Sequence, residues 1–127
     1  MAATSHELAL RYLLELSSDI HLAMLLDPDG GVIAAAPQAP PDRLSKLAAE
    51  LGREAGVLFG GAGEPVEIDA ACDGGAVFLI HTGEGSMVCL TDRSVLPGLI
   101  FYDMHSVLMD IDRAAGAEAR RVGVGQG

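Results

Sequence analysis

The chain has no tryptophan, two tyrosines and three phenylalanines, so aromatics supply only 4% of its 127 residues. Half of the residues are nevertheless hydrophobic. A core must therefore be aliphatic, built from Leu, Val, Ile, Ala and Met, and the length suits one domain. Positive charge is equally scarce: eight Lys and Arg stand against eighteen Asp and Glu, a net charge of -10. Nucleic acid and anionic membranes are recognised by clustered cations, so neither is expected as a partner. No apolar run approaches the ~20 residues that cross a bilayer, which excludes membrane insertion by a helix. The N-terminal MAATSHELAL carries no basic segment followed by an apolar one, so no secretory signal is visible and a cytoplasmic protein is expected.

What is present is a regular order of elements. Thr4 to Glu7 reads as a capping box, with Thr4 as N-cap and Glu7 reaching back to its amide. Ala9, Leu13, Leu16 and Ile20 follow at helical spacing, which predicts a first helix from about Ser5 to Asp19. Leu22 to Leu26 is a short apolar run suited to a strand covered on both faces. Asp27-Pro28-Asp29-Gly30-Gly31 is a turn, and Val32 to Ala36 returns as the second strand of a hairpin. The D-x-D-G of this turn is not a calcium loop, because the glycine comes too early and no twelfth-position Glu follows. Asp42 is the expected N-cap of a second helix whose apolar stripe is Leu44, Leu47, Ala48, Leu51, Ala55 and Leu58. Gly60 to Gly63 is a connector; it follows a helix instead of opening one, so it is no phosphate loop.

Strand 3 alternates, with Val66, Ile68, Ala70 and Cys72 on one face and Glu67, Asp69 and Ala71 on the other, which places it at a sheet edge. Ala76 to Ile80 and Met87 to Leu90 are apolar throughout and should be central. Gly74-Gly75 and Gly83-Glu84-Gly85 supply the hairpin turns between them. A meander of these three strands sets Cys72 and Cys89 two strand spacings apart, too far for a disulfide. Two reduced, buried thiols are expected. A third helix should begin near Ser94, with Pro97 in its first turn and Leu96, Ile100, Met104 or Asp103, Val107, Ile111 and Ala114 on its buried side. The domain is then 5–115, and 116–127 reads as a flexible tail. Central strands buried on both sides require helices on both faces. The fold class is α/β (α+β): a three-layer α/β/α sandwich with a five-stranded antiparallel sheet, helix 2 on one face and helices 1 and 3 on the other.

Catalytic chemistry finds little support. His6, His21, His81 and His105 have no metal-ligand spacing, and no G-x-S-x-G elbow is present. Asp103, Asp110 and Asp112 suit a solvated helix face. No cofactor or metal is expected, nor an enzyme. Two surfaces remain. Arg43, Lys46 and Arg53 are three of only eight cations and share helix 2 with Glu50 and Glu54. Pairing within the helix is one reading; a docking face through Arg43, Lys46, Glu50 and Arg53 is the other. The edge formed by Val66, Glu67, Ile68, Asp69 and Ala70 is free to pair with another chain, as it lacks a lysine to discourage this.

From Tyr12 to about Ala115 the chain resembles the Roadblock/dynein light chain family. The resemblance is carried by the hairpin LAMLLDPDGGVIAAAP, the helix RLSKLAAELGREAG and the segment MVCLTDRSVLPGLIFYDMHSVLMDIDRA. It implies a profilin-like sandwich that forms homodimers or heterodimers, with the third strands paired and the second helices side by side. Bacterial members are similar to regulators of Ras-like small GTPases, acting as activators or scaffolds without donating a catalytic arginine. The acidity of this chain and its SVLPGLIFYD segment depart from the family pattern. The resemblance thus implies a non-enzymatic homodimeric regulator or scaffold for a Ras-like small GTPase. The alternatives are a small-ligand sensory domain and a structural dimerisation module without a GTPase partner.

Overall fold

The computed structural model describes residues 4–60 and 64–126, the stretch 116–126 as backbone alone. Its elements are α1 (Ser5–Leu16), β1 (Ile20–Leu26), β2 (Val32–Ala36), α2 (Asp42–Phe59), β3 (Val66–Cys72), β4 (Gly75–Thr82), β5 (Gly85–Thr91) and α3 (Pro97–Gln126). The five strands form one antiparallel sheet in the order β2-β1-β5-β4-β3. β3 therefore ends the sheet, as its alternation predicts.

Strand alternation sorts the core into two layers. Ala23, Leu25, Phe78, Ile80, Met87 and Cys89 point to one face, where Leu10 and Leu13 of α1 and Ile100, Met104 and Val107 of α3 cover them. Phe78 meets Phe101 edge to face, with ring centroids 5.2 Å apart, the arrangement that ring quadrupoles favour. Met24, Leu26, Leu79 and Val88 point the other way, under Ala48 and Ala49 of α2. Helices thus cover both faces, with α2 alone on its side.

Element ends follow local chemistry. The Thr4 hydroxyl accepts the Glu7 amide at 3.1 Å and starts α1. The helix stops at Leu16, short of the expected Asp19, because Ser17-Ser18-Asp19 favours caps and turns over helix. Pro41, not Asp42, is the N-cap of α2; Asp42 is its first residue, where its charge complements the helix dipole. α3 begins at Pro97, and Leu96 before it and Ala114 within it, both expected on the buried side, are exposed. Its backbone stays helical to Gln126, through the segment read as a tail, where AEARR consists of strong helix formers. In the β1–β2 turn the Asp27 carboxylate accepts the amides of Asp29 and Gly31 at 2.9 and 2.8 Å, and Gly30 takes φ +90°.

The largest departure from the sequence reading concerns α2. The stripe expected to be buried included Leu47, Leu51 and Leu58, yet these are 54%, 48% and 71% exposed. The residues against the sheet are small: Ser45, Ala48, Ala49, Gly52 and Ala55. His81 of β4 and Ser86 of β5 explain this. A Cβ at Gly52 would lie 2.8 Å from His81 Nδ1 and 2.9 Å from Ser86 Oγ, and one at Gly56 would lie 3.0 Å from His81 Cδ2. The helix rides so close to these side chains that only small residues fit beneath it. Gly52→Ala should therefore destabilise the fold by about 1–3 kcal/mol through overpacking, despite the better helix propensity of alanine. Urea titration of the two proteins measures the difference.

Candidate interaction site on helix 2 and strand 3

The outward side of α2 is divided lengthwise. At 3.6 residues per turn, Leu47, Leu51 and Leu58 line one shoulder, and Lys46 and Arg53 line the other. Arg43, Glu50 and Glu54 stand on the crest between. The basic shoulder faces the β1–β2 turn: the Arg53 guanidinium donates to the Pro28 carbonyl at 3.2 Å, and Lys46 and Ala49 back Gly30. At its far end the helix reaches the edge strand, where Gly60 approaches Val66, and Arg53 and Val57 share a groove with Val66 and His81. Among the described residues no ion pair links Arg43, Lys46 or Arg53 to Glu50 or Glu54.

β3 is the outermost strand on the side of the sheet where α2 ends. It pairs with β4 from Val66↔His81 to Cys72↔Gly75, and among the described residues no strand takes its outer edge. Val66 and Ile68 are half-buried, and Ile68 packs on the α2 side. Ala70, Ala71 and Cys72 are exposed. On the opposite face Glu67 contacts His105 of α3 at 2.9 Å. Cys72 is thus exposed, against the expectation of two buried thiols, because neither helix layer extends over the far end of the edge strand. Both cysteines are free. Burial pushes the Cys89 thiol up to about 12.

The block of residues named from the sequence thus falls into two neighbouring sets. Arg43, Lys46, Glu50 and Arg53 are exposed on α2 and Val66 to Ala70 form the edge strand, and the two sets meet where Arg53 and Val66 line one groove. The leucine shoulder was missed because a heptad-like pattern of leucines reads as core; the signal that corrects it is Gly52-x-x-x-Gly56, which marks close helix approach.

Beneath α2, His81 Nδ1 and Ser86 Oγ are 3.0 Å apart. The Ser86 side chain is buried and covered by Gly52, so it is not presented to a substrate. A groove of about 390 Å³ beside it is lined by Arg53, Gly56, Glu64, Val66 and His81, among others. The ordinary His81 pKa is lowered by desolvation first and by the Arg53 charge second.

No family model matches the chain, and no curated protein matches it. Solved structures do. A Roadblock/LC7 domain from Streptomyces avermitilis superposes with a TM-score of 0.72 at 22% identity, covering 86% of this chain and 96% of that one. The chain has the Roadblock/LC7 fold. Myxococcus xanthus MglB matches with a TM-score of 0.70 at 15% identity, over 92% of this chain and 99% of that one. Acanthamoeba castellanii profilin IA matches at 0.62 and 16%, over 88% and 99%, so the sandwich is profilin-like as well. The resemblance seen in the hairpin and helix motifs is thus matched by the three-dimensional fold. No helix of the described residues is long and apolar enough to cross a membrane.

The lowered His81 pKa makes a directional statement about stability. Below about pH 6.5, the ordinary histidine value, the unfolded chain takes up a proton that folded His81 resists, because the imidazolium would be desolvated beside Arg53. This contribution is present in full above that pH and is lost as pH falls through it towards the lowered native value. Thermal melts between pH 7.5 and 5.5 should show a smaller decline for His81→Gln than for the native chain.

Proposed function

We propose that this protein is a homodimeric, non-enzymatic regulator or scaffold that binds a Ras-like small GTPase and modulates its GTP hydrolysis. The observations that carry the dimer are the exposed Leu47, Leu51 and Leu58 of α2 and the outer edge of β3, left free among the described residues. An unpaired strand edge and an exposed apolar shoulder are both satisfied when a second copy is added across a two-fold axis, edge to edge and helix to helix. The family resemblance supports the same arrangement. The isolated monomer would otherwise leave leucines on water and a ready template for strand addition.

The GTPase reading rests on the resemblance and on the basic shoulder. Lys46 and Arg53 are exposed on the shoulder of α2 opposite the leucines, so a contact made through the leucines leaves them open to a partner. Together with Arg43 and Glu50 they offer local positive charge on a body of net charge -10, suited to an acidic patch. Arg53 is held by the Pro28 carbonyl and acts as an anchor rather than an arginine finger. Regulation then proceeds by ordering the switch loops of the GTPase, without chemistry from this chain. The sensory alternative would use an open groove of about 520 Å³ at the Gly83–Gly85 turn, lined by Leu25, Ile80, Met87 and Leu108 with His6 and Asp112.

Light scattering should give a dimer for the native chain. Ile68→Lys and Leu51→Asp should each shift it to monomer, with dissociation constants raised by roughly 100-fold or more, about 2.7 kcal/mol. A native monomer at all concentrations would overturn the dimer. With the dimer intact, Arg43→Glu and Arg53→Glu should slow association with a Ras-like small GTPase, most strongly at low salt. Unchanged association in both variants would remove this shoulder as the contact, and loss of hydrolysis with full binding would make one of these arginines catalytic.

A further inference from the structure

A second apolar surface lies on the opposite side of the sheet, unrelated to α2 and β3. α1 and α3 run antiparallel: Ser5, His6 and Ala9 at the start of α1 share a small cavity with Asp110, Ile111, Ala114 and Ala115 of α3. Each helix gives its inner face to the core through Leu10, Leu13, Ile100, Met104 and Val107. The outer faces are not polar in compensation. Tyr12 is 48% exposed, Leu16 45%, Leu99 60%, Tyr102 72% and Met109 59%. Leu99, Tyr102 and Met109 fall on the side of α3 opposite its buried residues, at spacings of three and seven. The antiparallel setting brings the Leu16 end of α1 alongside the Leu99 end of α3. Both tyrosines of the chain are on this face, in a protein where aromatics are rare.

Its charged rim is mainly acidic. Asp103 and Asp110 border the seam of α3 with α1, and Glu15 stands on the exposed side of α1. Arg113 is tied to Asp110 at 3.8 Å and Arg11 stands on α1; α3 also carries Arg120 and Arg121, in the stretch described as backbone alone. An apolar strip with acidic borders is the complement of an amphipathic helix with basic borders. A second copy of this chain fits poorly, because it would bring the same acidic surface against Asp103, Asp110 and Glu15, and like charges across an interface repel. The 12 residues of α1 give a strip about 18 Å long at 1.5 Å per residue, the length of a three- to four-turn partner helix.

We propose that the outer face of α1 and α3 is a docking surface for a basic amphipathic helix of a partner protein, seated on Leu99 and Tyr102 with Tyr12, Leu16 and Met109 around them. It is separate from the α2 and β3 surface, so one dimer presents two such sites in addition to the proposed GTPase contact.

The test uses a synthetic 14-residue helical peptide with leucines at i, i+3, i+4 spacing and lysines elsewhere. Two controls accompany it: a scrambled peptide of the same composition, and a version with glutamate for lysine. Fluorescence anisotropy on the full chain should show saturable binding of the first peptide alone. Leu99→Ala combined with Tyr102→Ala removes apolar area without changing charge and should weaken binding at least about tenfold, 1.4 kcal/mol. Asp103→Asn with Asp110→Asn should weaken it mainly at low salt. Leu51→Asp, on the other side of the sheet, should leave it unchanged. These positions are exposed, and circular dichroism verifies that each variant is folded. Equal binding of the scrambled peptide, no loss in Leu99→Ala/Tyr102→Ala, or loss in Leu51→Asp would each overturn the proposal. A chain that binds none of the three peptides would do the same.

Discussion

Helix α2 lies so close to the sheet that His81 and Ser86 occupy the space where side chains at positions 52 and 56 would otherwise be. Much else follows from that proximity. A helix packed at ordinary distance would turn its leucines inward and its glycines nowhere in particular. Here the inner row is reduced to Ser45, Ala48, Ala49, Gly52 and Ala55, and the leucines are displaced to an exposed shoulder. The basic residues are displaced by the same rotation towards the β1–β2 turn, where Arg53 finds the Pro28 carbonyl. One steric constraint thereby separates an apolar surface from a cationic one on a single helix. The helix that carries the proposed function is also the one least anchored by large side chains.

Most of the architecture was legible in the residue pattern. Strand alternation separated Val66 and Ile68 from Glu67 and Asp69, and the continuous apolar runs of Ala76–Ile80 and Met87–Leu90 marked strands covered on both sides. Glycine pairs located the meander turns, and the resulting order put β4 between Cys72 and Cys89. Helix caps were less legible, since Pro41 and Asp42 both satisfy the start of a helix and only backbone geometry separates them. The inner face of α2 was not legible. Leu47, Leu51 and Leu58 have the spacing of a core stripe, and periodicity reports which residues share a face, not which face meets the sheet. That depends on the depth of His81 and Ser86, two residues from other strands. The exposure of Cys72 was hidden for a related reason: strand alternation assigns a face, but whether a helix reaches over that face is a matter of layer width.

The two sides of the sheet are built by different rules. On the α1 and α3 side, two helices share the cover with large residues, and the Phe78–Phe101 pair stiffens the contact. On the α2 side a single helix covers Met24, Leu26, Leu79 and Val88 with alanines. Exposed apolar side chains nonetheless occur on both outer surfaces, so hydrophobicity alone distinguishes neither. What distinguishes them is the accompanying charge: α2 carries Arg43, Lys46 and Arg53 beside its carboxylates, whereas carboxylates predominate around the tyrosines and leucines of α1 and α3. In a chain of net charge -10, the acidic flank is the ordinary surface and the cationic one is the exception.

The unequal fates of the two thiols give the molecule a built-in handle. Cys89 is sealed in the core, with its ionisation pushed up to about 12, and the thiolate is the reactive form. Cys72 sits in the open at the end of the edge strand. A maleimide dye should therefore attach once per chain, at a defined place, without any engineered cysteine. The label would stand at the rim of the β3 edge, where its emission would register the arrival of a neighbouring strand.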